Sequence, residues 1–159
     1  MSESHSALLA RALWVSALVL GAAGLLLQVL GKGFHVGDAL GAPLGLIILL
    51  GFATLGLLIV GRQRGNIIGW LFLGSAAFWG LSSLASGYAY FAFANGRTSS
   101  LLAKIADWSG QWNWMPLVFL LPPLLALLFP DGHPLSARWR FAVWGVVVCS
   151  TLIVVSTAI

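Results

Sequence analysis

Residues 67–93 read IIGWLFLGSAAFWGLSSLASGYAYFAF, a stretch without one Asp, Glu, Lys or Arg. A hydrocarbon core about 30 Å thick is crossed by about 20 apolar residues in helical form, so this stretch has residues to spare. It does not alternate in polarity as a barrel strand does. Inside a bilayer the backbone amides must be satisfied within their own helix, because no water is there to serve them. Four more runs share this character, at 12–30, 40–60, 112–129 and 141–159. The reading is an all-α integral membrane protein: a bundle of about five transmembrane helices with short loops, residues 1–159 forming a single polytopic membrane domain.

Composition agrees. Of 159 residues 60% are hydrophobic and 8% charged, with a mean hydropathy of +0.99, whereas a soluble domain carries about 25% charged residues. The net charge of +4 does not indicate nucleic acid, since the eight basic residues are scattered over short polar stretches and form no stripe. Cys149 is the sole cysteine, which excludes an intrachain disulfide. The run 12–30 exceeds a secretory signal core of about 7–15 residues and reads as a retained first helix. No Asp, Glu, Lys or Arg lies well inside a span, which removes the usual marker of a proton relay or ion path.

The connections set the orientation. Residues 61–66, GRQRGN, form a short basic loop. Residues 95–111 form the longest connection; within it 100–108 places Leu101, Leu102, Ile105 and Trp108 at helical spacing against Lys104 and Asp107, as in a helix lying in the interface. Pro122 and Pro123 predict a kink in the fourth span. Residues 128–140, LFPDGHPLSARWR, hold a tight turn at Pro130, Asp131 and Gly132, then Arg138, Trp139 and Arg140 ahead of the last run. With the N-terminus cytoplasmic, Arg11, Arg62, Arg64, Arg138 and Arg140 lie inside and Lys32, Arg97 and Lys104 outside, following the positive-inside rule. Trp70 and Trp139 then fall at the inner interface and Trp108, Trp112, Trp114, Tyr88 and Tyr90 at the outer one. An odd number of spans leaves Ile159 outside with no polar tail, as in a chain stopped within its last helix; the alternative is a small protein whose final helix ends flush with the outer surface.

Two segments, in order, carry a resemblance. Gly61, Arg62, Arg64, Asn66, Gly69 and Trp70 form the first; Leu128, Phe129, Pro130, Asp131, Gly132, Arg138, Trp139 and Arg140 form the second. Together they resemble the N-terminal multi-span membrane region of a group of bacterial two-component sensor histidine kinases, without the kinase domains. In that group a basic loop precedes a pattern close to N-P-I-G-W-L, and a later helix ends in L-F-P-D-G before R-W-R. Ile67 stands where the family usually has proline, and His133 where a basic residue is common. The resemblance implies a multi-pass sensor in the cytoplasmic membrane, followed in the family by one further span and by cytoplasmic dimerisation and ATP-binding domains. His5, His35 and His133 occupy terminal or loop positions unsuited to a phosphoacceptor, and no glycine-rich ATP lid or Walker-type loop is present. The chain itself therefore reads as non-enzymatic, with no cofactor; a full-length parent would be the kinase.

Two further constellations stand out. Gly69, Ala76, Gly80, Ser83 and Gly87 line one face of the third helix with small residues, which admits a close neighbour, either within the bundle or in a homodimer. Gln28, Ser82, Ser83, Ser86, Tyr88 and Tyr90 form a candidate outer polar pocket for an apolar or amphipathic stimulus, against the simpler reading that serines bond back to their own helix and tyrosines seek headgroups. The expected function is a membrane-embedded signal-transduction module whose partners are the bilayer and a second copy, or a cytoplasmic kinase or response regulator, and not nucleic acid. The alternative is a small structural or assembly subunit of a membrane complex, docking through the small-residue face.

Overall fold

The computed structural model describes residues 3–32, 38–128 and 139–158, and among them every regular element is helical. In order they are α1 (Glu3–Lys32), α2 (Asp38–Arg62), α3 (Ile67–Ala94), α4 (Leu101–Trp112), a π-helical turn (Pro116–Leu120), α5 (Leu121–Leu128) and α6 (Trp139–Ala158). Five helical segments are long and apolar enough to cross a membrane: His5–Gly31, Leu44–Arg62, Ile67–Ala94, Leu101–Leu128 and Trp139–Thr157. This is the make-up of a multi-pass membrane protein.

The first three helices run up, down and up, so α1 and α3 are parallel. Small residues set how close they come. A Cβ on Gly80 would lie 2.6 Å from the Ala17 carbonyl oxygen, and one on Gly87 would fall on the Gly24 carbonyl. Ala10 and Leu73 pack together one heptad earlier. The pairs 10 with 73, 17 with 80 and 24 with 87 thus step by seven along both helices, the period of a left-handed crossing of shallow angle. In lipid such contact has no hydrophobic drive, and backbone-to-backbone packing over small residues supplies the attraction instead. α2 lies antiparallel to both partners, with Leu49 and Ala53 against Ala17 and Ala76 and Val60 against Ala10 and Leu73.

The helix expected over 100–108 is α4, which runs on through the π turn into α5 as one long apolar segment. It turns Ala103 and Ala106 inward, both buried, and Gly110 faces Ser86 of α3. Leu101, Leu102, Ile105 and Trp108 point outward. The apolar stripe seen in the sequence is real but outward-facing, as on a helix whose large residues meet hydrocarbon.

The proline pair is accommodated by a wide turn. Leu121 donates its N–H to Pro116 O, a bond across five residues in place of four. Pro123 has no N–H for the carbonyl four residues before it, which belongs to Phe119. Buried Ser150 of α6 serves that oxygen, its Oγ donating at 2.9 Å. Ser150→Ala should lower stability in detergent by about 1 kcal/mol, within the range of interhelical side-chain bonds in membrane proteins; a thermal midpoint equal to that of the native chain would show the bond to be idle.

α6 closes the bundle through one face. Val143, Val146 and Val147 pack against a cluster of Ile68, Leu124 and Leu128. Its other face, Phe141, Trp144, Val148, Leu152 and Val155, is exposed.

Candidate functional site

The loop at 61–66 is a built joint. Asn66 is 7% exposed and caps α3: its Oδ1 accepts from the Ile68 N–H at 2.9 Å, while its Nδ2 donates to Gln63 Oε1 at 3.0 Å. The Trp70 indole N–H reaches back to the Arg64 carbonyl at 3.1 Å, which clamps the loop from the far side. Gly69 gives α2 its approach, since a Cβ there would crowd Ile59 and Val60. Asn66, Gly69 and Trp70 thus hold a tight interhelical connection, and Arg62 and Arg64 are carried exposed at its rim.

This geometry also accounts for Ile67. Asn66 is the N-cap, with φ −78° and ψ 113°, so Ile67 is the first helical residue. That is the position at which proline is best tolerated, and an extended residue before it is what proline requires. Ile67→Pro should therefore be neutral or raise stability by about 0.4–1 kcal/mol. A lowered thermal midpoint would show that the loop differs from the proline-bearing pattern it resembles.

Of the second motif segment, Phe129, Pro130, Asp131, Gly132, His133 and Arg138 lie outside the described residues, as does His35. Trp139 and Arg140 open α6 and are exposed. The cluster joining Ile68 to Leu128 and Val143 brings the two segments to one end of the bundle. Arg11 and Arg64 line a cleft of about 290 Å³ between α1 and α2 at this same end. Arg62 and Arg140 are there as well, whereas Arg97 and Lys104 are at the opposite end, beyond α3 and at the start of α4.

The small-residue face of α3 is covered. Gly80, Ser83 and Gly87 meet α1, with Ser83 Oγ donating to Gly21 O at 3.4 Å, and Gly69 meets α2. Ala76 is fully buried in the core between them. A docking surface for an assembly subunit has to be found elsewhere on the chain.

Away from the arginine end a cleft of about 370 Å³ opens between α1, α2, α3 and the junction of α4 with the π turn. Gln28, Ser82, Ser83 and Ser86 line it, as the sequence suggested. Asn113, Trp114 and Gly110 join them from α4 and the residues after it. Tyr88 and Tyr90 do not. Tyr88 points round the helix from the Ser82 and Ser86 row, and Tyr90 continues that row one turn beyond the cleft. Asn113 and Trp114 escaped the sequence reading because they belong to a kinked segment whose partner on α3 is fixed only by tertiary packing. No protein-family model, no curated protein and no solved structure matches the chain.

Proposed function

We propose that this chain is the membrane-embedded sensory part of a bacterial signalling protein, similar to the N-terminal region of a two-component sensor histidine kinase, set in the cytoplasmic membrane with its N-terminus inside. The observation that carries the reading is the meeting of both motif segments at one end of the bundle, through Ile68, Leu128 and Val143. Arg11, Arg62, Arg64 and Arg140 at that end are the charge pattern of a cytoplasmic face. A stimulus in the bilayer or at its outer face would favour one of two helix arrangements, and it shifts them only as far as its affinities for the two differ. The α1–α3 seam is too closely packed to adjust, so the moving part is the segment from α4 to α6, articulated at the π turn. A cytoplasmic kinase, in the same polypeptide or as a partner, would read the change.

The test is genetic and biochemical. The coding sequence beyond Ile159, or an adjoining gene, should encode kinase domains, and deleting residues 1–159 should change phosphorylation of the cognate response regulator on phosphate-affinity gels. A gene with no kinase in it or beside it would remove the support for signalling. Orientation is tested in a Cys149→Ser background: Thr98→Cys should react with an impermeant maleimide on intact cells and Gly65→Cys should not, and the reverse pattern would invert the topology. The alternative role, an assembly subunit, would use an exposed apolar stripe such as Phe141, Trp144, Val148 and Leu152 on α6.

A further inference from the structure

Four neutral polar side chains line the larger cleft with their hydrogen-bonding groups unengaged. Among the described residues no hydrogen bond involves the side chains of Gln28, Ser82, Ser86 or Asn113. Other serines behave differently: Ser16, Ser109 and Ser156 donate to the carbonyl three residues before them, and Ser83 donates across to Gly21. An unengaged amide or hydroxyl in a hydrocarbon surrounding is costly, and an occupant bringing its own polar group removes that cost.

Glycines make the room. Gly45 lines the cleft, and a Cβ there would meet nothing within 4 Å. The volume, about 370 Å³, falls at the lower end of small-molecule pockets, which run about 300–1,000 Å³. The remaining wall is apolar, including Leu25, Leu46, Leu49 and Trp79. No lining residue carries a charge, so an ionised headgroup would leave water without a counter-ion. Amide and hydroxyl groups, by contrast, each donate and accept.

We propose that this cleft binds an uncharged amphiphile, a slender apolar body ending in a hydroxyl, carbonyl or amide. The polar end lies among Gln28, Ser82, Ser86 and Asn113 and the body against Leu46, Leu49 and Trp79. A neutral lipid of the bilayer and a small diffusible molecule dissolved in it share this chemistry. The site does not depend on signalling, because occupancy is read directly on the purified chain.

The experiment uses the full chain in phosphatidylglycerol nanodiscs and a dodecanol bearing a photoreactive diazirine in its chain, beside dodecane and dodecyltrimethylammonium analogues with the same diazirine. The alcohol should label peptides containing residues 82–86 and 110–117 about tenfold more than either analogue, the discrimination expected of one or two hydrogen bonds. Gly45→Leu, which fills the cleft without a backbone clash, should remove that labelling while eluting as folded protein. Gly51→Leu also enters open space but does not line the cleft, and it should leave labelling intact. Gln28→Leu combined with Asn113→Leu should bring the alcohol down to the dodecane level. Competition by diacylglycerol points to a bilayer lipid, and competition by decanol to a diffusible molecule. Equal labelling by all three probes, persistence in Gly45→Leu, or competition by neither molecule overturns the proposal.

Discussion

Gly87→Ala is expected to cost about 3 kcal/mol, the upper part of the range for overpacking, although it adds a single methyl group. The new Cβ would fall on the carbonyl of Gly24, where the obstacle is backbone that no rotamer change can move. α1 and α3 would have to separate, and the neighbouring contacts of Gly80 with Ala17 and of Ser83 with Gly21 would loosen with them. Gly74→Ala, on the same helix but facing open space, should instead be stabilising by about 0.5–1 kcal/mol, because alanine is the better helix former. Thermal midpoints and elution profiles in detergent measure both. A Gly87→Ala protein as stable as the native one would uncover this face of α3 and reopen it as a seam between copies.

The second large effect is expected at Asn66. Alanine there removes the cap on Ile68 and the bond to Gln63 from a nearly buried position. A lost cap costs about 1 kcal/mol, and the lost bond from Nδ2 to Gln63 about 1 kcal/mol more, so the total is about 2 kcal/mol. Asn66→Asp keeps the acceptor for Ile68 and loses the donor to Gln63, so it should recover about half. Hydrogen exchange separates the parts: the Ile68 amide should be exposed by alanine and protected by aspartate. Equal protection in both variants would mean that the Trp70 bond to Arg64 holds the joint unaided.

The helices themselves were legible because a span is set by length and apolar content, which are local properties. The same locality explains the errors. α1 begins at Glu3, well before the apolar run at 12, since Ser4 to Arg11 can extend a helix without being apolar enough to declare it. The stripe of Leu101, Leu102, Ile105 and Trp108 was visible, but that it faces away from the bundle while Ala103 and Ala106 face inward is decided by tertiary packing. The packing face of α3 was readable from its glycine spacing, whereas the identity of its partner, α1, is a matter of tertiary pairing. Ser150 gave no signal, because its partner is an oxygen freed by a proline on another helix. Of the cleft lining, Gln28 and the α3 serines stand out in the sequence as polar residues in apolar runs, whereas the part supplied by Gly110, Asn113 and Trp114 depends on how α4 turns.

The parallel pairing of α1 with α3 also has a history. Ser83 and Gly21, which meet across it, are 62 residues apart, and α2 has to be made and inserted between them. During synthesis the glycine row of α1 therefore faces the bilayer until its own α3 arrives. In that interval the α3 of another nascent chain could occupy the row, giving a domain-swapped dimer, but the chain's own α3, tethered through α2, is favoured by its higher effective concentration.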